Sequence, residues 1–307
     1  MIDTIKISTR EDNIANVPHH AEFYRRLNNV KGRGDCRTLK ASLSCSRSLS
    51  LTFSVPQVLY GSSIKEYRPD DSEMLINKTL DILKQLAIEV HDLRDFTLHR
   101  VDLCRNIEVP RSAEQYVIQF ARYPIPAHWS VSQNSLPTSA GFRKNADHWI
   151  GMYDKLRQAK HQRNGHLLRV EAQYRRRKEV LDVLGFDRLG ALLNCDCSYL
   201  HEILSNEVLT VVGASKGPEA PDHQELWDRC IATGQRNGIT LFIVSAMAQQ
   251  GQLDPIALAA IDSTLRRNLL RDAYYRARSA FLRPLSAGSF DSAFRMDVLE
   301  KLQEMKF

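Results

Sequence analysis

The chain has 307 residues, 43% hydrophobic and 25% charged, with a formal net charge of +6. That length suits about two domains with an ordinary soluble core, and no apolar run approaches the ~18 residues that a membrane helix needs. The first residues alternate like a strand and lack the apolar region of a signal peptide, and none of the six cysteines forms a CxxC pair, so the expectation is a cytoplasmic protein with reduced thiols and no membrane partner.

Residues 2–8 alternate with period two and predict a first strand. Residues 12–40 are polar and predict irregular structure with a basic turn at 31–34. The Ser-rich stretch 44–55 predicts one or two strands, ended by 56–61. Pro69-Asp70-Asp71-Ser72 is a helix start. Leu75, Leu83, Leu86 and Val90 at helical spacing predict an amphipathic helix over 74–90, packed on a sheet. Period two returns over 97–109. A helix is expected over 111–123, stopped by Pro124 and Pro126. Residues 132–155 predict a hairpin, with 141–147 as its polar connection and 149–155 as its second strand. A further strand is expected over 167–174 and a helix over 175–184.

The expected fold class is α+β: an antiparallel sheet covered by helices, followed by a helical C-terminal region. From residue 188 the signal is almost entirely helical. A linker at 213–221 precedes helices over 225–236, 239–250 and 254–281. These features divide the chain into residues 1–187 and a helical region 188–307. The helix that opens at Ser263 carries Arg266, Arg267 and Arg271, which suit contacts to phosphates or base edges in a DNA groove.

Residues 141–180 hold eleven Lys/Arg and four acids, a local charge of +7 against +6 for the whole chain. A field of that sign suits a polyanion. Candidate phosphate contacts are Arg100, Arg143, Lys144, Arg157, Arg169, Arg175 and Arg176. Trp129, Phe142 and Trp149 are available either for stacking on unpaired bases or for core packing.

Side chains on a strand alternate between two faces. Over 97–109, Val101, Leu103, Ile107 and Val109 share one face, and Arg100, Asp102, Cys104 and Asn106 share the other. Over 167–174, Leu168, Val170, Ala172 and Tyr174 oppose Leu167, Arg169, Glu171 and Gln173. Tyr153 and Lys155 point the same way. With strands ~4.8 Å apart, Asp102 and Glu171 can share one divalent cation, and hard oxygen ligands favour Mg²⁺ or Mn²⁺. The competing arrangement is a set of salt-bridged strands, Arg100 with Glu171 or Asp102 with Arg169.

The order of these pieces resembles the replication initiators of filamentous phages and related plasmids, which start rolling-circle replication. The series is a Met-Ile-Asp strand, the turn Val58-Leu59-Tyr60-Gly61, a long helix, Arg100-Val101-Asp102, Tyr153-Asp154-Lys155, and Leu168-Arg169-Val170-Glu171-Ala172. It runs from Met1 to about Phe186 and is fainter beyond. The resemblance implies a rolling-circle nuclease-like fold and a metal-dependent DNA endonuclease that nicks one strand at an origin and transfers it. It also implies Tyr153 as the nucleophile, a phosphotyrosine intermediate, and a site built from the Arg100/Asp102 and Arg169/Glu171 motifs. Lys155, a nearby positive charge, lowers the cost of the phenolate, which is roughly 4 kcal/mol at pH 7 for a phenol of pKa about 10. Partners would be single- and double-stranded origin DNA and a host helicase or polymerase. The chain departs from the family pattern at Gln57, where members often carry Lys, and at Leu51, where some carry Glu. It also lacks a His-hydrophobe-His ligand pair. A non-catalytic, sequence-specific DNA-binding regulator on the same fold and an RNA-binding protein are the alternatives.

Overall fold

Strands that alternate apolar and polar residues can bury one face only, and that constraint organises this protein. The computed structural model describes residues 1–32, 39–44, 47–123, 126, 128–132, 135, 137–160, 165–213 and 294–304. The predicted linker at 213–221 falls outside them except for Gly213. The three predicted helices between 225 and 281, with Arg266, Arg267 and Arg271, lie outside them altogether.

Ten strands are described: β1 (Ile2–Thr9), β2 (Ile14–Asn16), β3 (Lys40–Leu43), β4 (Leu49–Ser54), β5 (Glu89–Val90), β6 (Thr97–Val109), β7 (Ser130–Val131), β8 (Ser139–Arg143), β9 (His148–Asp154) and β10 (His166–Tyr174). Eight form one sheet in the order β3-β4-β1-β6-β10-β9-β8-β7, and β2 pairs with β5. Every pairing in the large sheet is antiparallel. The helices are α1 (His20–Gly32), α2 (Val55–Tyr60), α3 (Ser72–Gln85), α4 (Ala113–Arg122), α5 (Lys155–Gln158), α6 (Arg177–Leu184), α7 (Leu189–Leu193) and α8 (Cys197–Gly213). A short helical stretch, Arg295–Glu300 and Lys301–Glu304, follows. The α+β expectation, an antiparallel sheet with helices, therefore describes the observed architecture.

The register assigns the faces. Ile2, Leu103, Ala172 and Ile150 lie in one apolar row, and Phe142 stands opposite Ile150. All five are at most 1% exposed. Helix α4 covers the β8–β10 part of this face, with Phe120 meeting Phe142 edge to face at 5.2 Å. The opposite face is polar. Its residues line up across strands as Thr52, Lys6 and Arg100, then Asp102, Gln173, Trp149 and Arg143, then Cys104, Glu171, Gly151 and Gly141, then Asn106, Arg169, Tyr153 and Ser139.

Three local expectations are revised. The polar stretch 12–40 contains α1, because Phe23, Leu27 and Val30 at helical spacing are buried against the core. Three apolar residues sufficed for a helix that packing stabilises. The helix expected over 74–90 ends at Gln85, since Ala87 turns left-handed (φ 58°), Ile88 N–H bonds back to Leu83 O, and 89–90 becomes β5. Residues 55–60 form α2 rather than a simple strand end. Its Gly61 cap (φ 66°) donates to Gln57 O, a conformation open to glycine at little cost.

The described residues beyond 187 join the same core. Leu98 N–H donates to Asp187 O, and Leu189 N–H to Phe96 O. Leu189, Leu192, Leu193, Leu200, Leu204, Val208, Val211 and Val212 are all at most 5% exposed and belong to the sheet's hydrophobic cluster. Glu207 of α8 reaches His148 Nε2 at 3.1 Å and accepts from Tyr174. At the far end of the chain, Phe294 packs on Tyr116 and Tyr123, and Asp297 accepts from the Tyr116 hydroxyl at 2.6 Å. Described residues on both sides of position 187 thus share one hydrophobic cluster.

Burying an aliphatic side chain stabilises a fold by about 1.5–3 kcal/mol. Eight of them rival the ~5–15 kcal/mol that holds a domain together. A chain truncated to residues 1–187 is therefore expected to lose its cooperative thermal transition, and circular dichroism against the full chain checks this. A sharp native-like melt from the truncated chain would place the boundary at 187 after all.

Candidate active site

The polar face would expose its carboxylates in rows two residues apart, were it not for an irregularity in β1. Ile2 pairs with Leu103 and Ile5 with Val101, so one residue bulges between them. Strict alternation would aim Asp3 with Ile5 into the core. The bulge instead delivers Asp3 to the polar face, where Asp3, Asp102 and Glu171 bring carboxylate oxygens within 4.8 Å of one another. Bulges re-aim side chains in this manner beside functional sites. Asp102 and Glu171 were legible in the sequence. Asp3 was not, because period-two reading puts it on the wrong face.

Each carboxylate is held by donors. Arg100 grips Asp102 with two bonds, Nε to Oδ1 at 2.8 Å and Nη2 to Oδ2 at 2.6 Å. Arg169 Nη1 donates to Asp3 Oδ1 at 2.6 Å. Glu171 accepts from the Tyr153 hydroxyl at 2.6 Å and from Gln173 Nε2. Neither salt bridge weighed from sequence forms: Arg100 pairs with Asp102 rather than Glu171, and Arg169 with Asp3 rather than Asp102.

Arg169 was expected to contact DNA. It is fully buried, and its other nitrogens donate to Asn106 Oδ1 at 2.7 Å and Ser63 O at 2.8 Å. Its guanidinium has no exposed side for a phosphate, and its work is to position Asp3. The loop after Gly61 completes this frame. Ile64 O accepts from Asn106 Nδ2 at 2.6 Å, and Glu66 accepts from the Asn106 N–H, where β6 has run past its β1 partner.

Three carboxylates against two guanidinium groups leave one net negative charge in a buried place. Burial pushes the Asp102 carboxyl up to about 7, with Arg100 opposing and Glu171 adding to the rise. Burial, and then the charge of Asp3, raises Glu171. Carboxylates that raise one another in this way are relieved by a cation among them. The donor set is all hard oxygen, which fits Mg²⁺ or Mn²⁺. Tyr153 is 9% exposed; burial first, and the Glu171 charge next, hold its phenol well above the ordinary value.

Lys155 opens α5 rather than ending β9, and its ammonium sits 5.7 Å from the centre of the Tyr153 ring while donating to Gln158 at 2.8 Å. Asp154 points away, as expected, and caps α5 by accepting from Arg157 N–H.

The remaining basic candidates divide. Arg143 and Lys144 are exposed at the β8 end. Arg175 lies on the polar face, donating to Gln173 Oε1. Arg157 is exposed and paired with Glu114, and Arg176 is exposed and paired with Asp147 at 2.9 Å. Exposed pairs of this kind contribute little and open readily to another anion. Of the three aromatics, Phe142 is in the core, and Trp129 packs on His148 at 5.6 Å. Trp149 stays partly exposed on the polar face.

Burial, and then the Arg169 charge, lowers the Lys155 ammonium to about 8 from 10.5. Between those values the unfolded chain binds a proton that the folded chain does not, so this residue's contribution to stability rises with pH across that window. The slope is at most about 1.4 kcal/mol per pH unit. Urea melts of the wild type and Lys155→Met from pH 7 to 9.5 should find the variant relatively more stable at pH 7, with the advantage shrinking as pH rises. A constant difference would mean an ordinary lysine.

No family model matches the chain, and no curated protein matches it in sequence. Among the described residues, no helix is long and apolar enough to cross a membrane. Among solved structures, the protein is similar to the rolling circle replication initiator protein from Geobacillus stearothermophilus, with 10% identity and a TM-score of 0.31 over 69% of this chain and 84% of that one. That likeness is distant.

Proposed function

We propose that this protein is a metal-dependent DNA nickase and strand transferase that cuts one strand at a replication origin through Tyr153 and rejoins the ends. One observation carries the reading: a tyrosine hydroxyl 2.6 Å from Glu171, inside a cluster of three carboxylates on the polar face of the sheet. The ordered motif series and the basic stretch 141–180 support it.

Asp3, Asp102 and Glu171 would hold the Mg²⁺ or Mn²⁺. Such an ion, when bound, stabilises charge on the phosphate oxygens and on the phenolate. The chain's own residues do the rest. Glu171 Oε2 takes the phenolic proton along the existing hydrogen bond. The Tyr153 oxygen attacks phosphorus as the P–O3′ bond breaks, and the 3′ oxygen leaves as a hydroxyl with a proton from solvent. The 5′ phosphate stays on Tyr153, so the bond energy is kept and the ends can be rejoined. Arg100 and Arg169 fix Asp102 and Asp3, and Lys155 supplies positive charge beside the ring. Arg143, Lys144, Arg157, Arg175 and Arg176 would contact the DNA backbone, and Arg266, Arg267 and Arg271 would contribute to origin recognition. The freed 3′ end would pass to a host polymerase behind a helicase, in the cytoplasm.

A second reading has its own support: every carboxylate already has an internal donor. A non-catalytic DNA-binding regulator would keep such a network for stability alone.

Incubation of the full chain with supercoiled origin plasmid and Mg²⁺ separates the two. Nicking with protein linked to the 5′ end is expected. Tyr153→Phe should reduce it at least a thousandfold while duplex binding stays within about twofold, since only the phenolic oxygen is lost. A Phe variant that nicks at the wild-type rate would reassign the nucleophile.

Asp3→Asn, Asp102→Asn and Glu171→Gln should each lower cleavage by roughly 10–100-fold and raise the metal concentration needed, the range seen when a metal site loses a supporting group. Asp3→Asn is the discriminating variant, because that residue joins the site only through the β1 bulge. Cleavage that persists in EDTA would remove the metal from the reading.

A further inference from the structure

Trp149 is the aromatic side chain on the polar face that the carboxylate centre leaves unused. It stands in register between Arg143 on β8 and Gln173 on β10. The next row along holds Gly141 directly opposite Gly151, so no side chain rises there. A Cβ built on either glycine would overlap the indole, at Nε1, Cε2 and Cζ2 over Gly141 and at Cζ2 and Cη2 over Gly151. The ring therefore lies flat across two strands with one side on bare backbone. It is nonetheless partly exposed, so the ring is not closed on every side.

Positive charge surrounds this ring. Arg143 is exposed, and Arg175 spends its donors on the neutral amide oxygen of Gln173. Neither forms an ion pair with a carboxylate among the described residues. Burial first, then the charges of Arg100 and Arg143, hold the Arg175 guanidinium below its usual value, with Asp102 and Glu171 opposing. Two guanidinium groups without carboxylate partners among the described residues, on the neighbours of one ring, suit an anion.

We propose that Trp149, Arg143 and Arg175 form a subsite for one unpaired nucleotide, the indole stacking on its base and the two guanidinium groups holding its phosphate. A duplex hides the faces of its bases, so a flat, partly exposed ring beside arginines selects single-stranded DNA. Gln173 follows Glu171 by two residues on β10, a rise of about 6.8 Å, so the subsite adjoins the carboxylate centre. It would grip the strand beside the phosphate that is cut. The inference rests on the nickase reading for its location, but binding alone tests it.

Full-length protein in EDTA, which prevents cleavage, is titrated with labelled dT12 and with a twelve-residue abasic tract. The wild type should prefer dT12 by at least fivefold. Trp149→Leu should weaken dT12 binding by between about fivefold and a hundredfold, the effect of one stacked base, and should leave the abasic tract unchanged, so the preference disappears. Arg143→Gln and Arg175→Gln should weaken both tracts alike, each reducing the salt slope by about 0.7. If Trp149→Leu weakens both tracts equally, or neither, the ring is only a cover for the glycines and the subsite is overturned. Should the Leu variant fail to fold, Trp149→Phe serves. Wild-type tryptophan fluorescence should be quenched by dT12, and that quenching should vanish in the Phe variant although Trp129 and Trp227 remain. Quenching that survives would overturn the subsite. Binding without base preference refutes the subsite alone, whereas a wild type that binds neither tract at low salt refutes the DNA reading with it.

Discussion

The structure turns on keeping three carboxylates together where water is scarce. An unpaired buried ion costs several kcal/mol even after relaxation, and Asp102 and Glu171 are only 1% and 4% exposed. Two arginines make the cluster tolerable. Arg100 comes from the same strand as Asp102, two residues away, so that pair is set as soon as β6 forms. Arg169 is different, since it joins Asp3 across 166 residues of sequence. Its remaining donors need Asn106 and the carbonyl of Ser63. The loop that leaves α2 through Gly61 therefore has to arrive at one place, and the β1 bulge has to occur where it does.

The same constraint sorts charge along the polar face. The row of Lys6 and Arg100 is positive, and the next rows carry Asp102, Glu171 and, through the bulge, Asp3. Gln173 and Trp149 continue the row of Asp102 across β10 and β9. Strands ~4.8 Å apart and rows about 6.8 Å apart make this a fixed lattice of charge. On the proposed function, a backbone lying across the cationic row brings its next phosphate to the carboxylates. A cation there is then required by the substrate as well as by the cluster, because phosphate and carboxylate otherwise repel.

Much of this was legible from residues alone. The face assignments of Asp102, Arg169, Glu171 and Tyr153 followed from period two, and they hold because β6, β9 and β10 pair without interruption around those residues; Arg100 keeps its face beside a register shift between β1 and β6. Asp3 was hidden because a bulge changes parity and has no mark in the sequence. The burial of Arg169 was hidden too: a guanidinium in a basic stretch reads as surface until the Asp3, Asn106 and Ser63 partners, all distant in sequence, are known. Helix α1 was masked by polar residues, since only Phe23, Leu27 and Val30 carry its period. The division at 187 looked natural because composition changes there, yet hydrophobic residues on both sides of it meet in one cluster.

Burial separates what the two aromatic side chains of β9 can do. Tyr153 is nearly covered, hydrogen-bonded and flanked by Lys155 and Arg169, so its oxygen is aimed and has little freedom. A nucleophile needs that restraint, because a misplaced oxygen forfeits the gain from proximity. Trp149, four residues earlier on the same face, is supported from below by glycine backbone and left partly exposed. A core tryptophan would be closed on both sides, as Phe142 is closed on the opposite face of β8. A network kept for stability alone accounts for the paired carboxylates, but it assigns no work to a ring laid flat on two glycines at the open edge of that network. The catalytic reading accounts for both with one strand of DNA, which needs its phosphate oriented at Tyr153 and its neighbouring base held still.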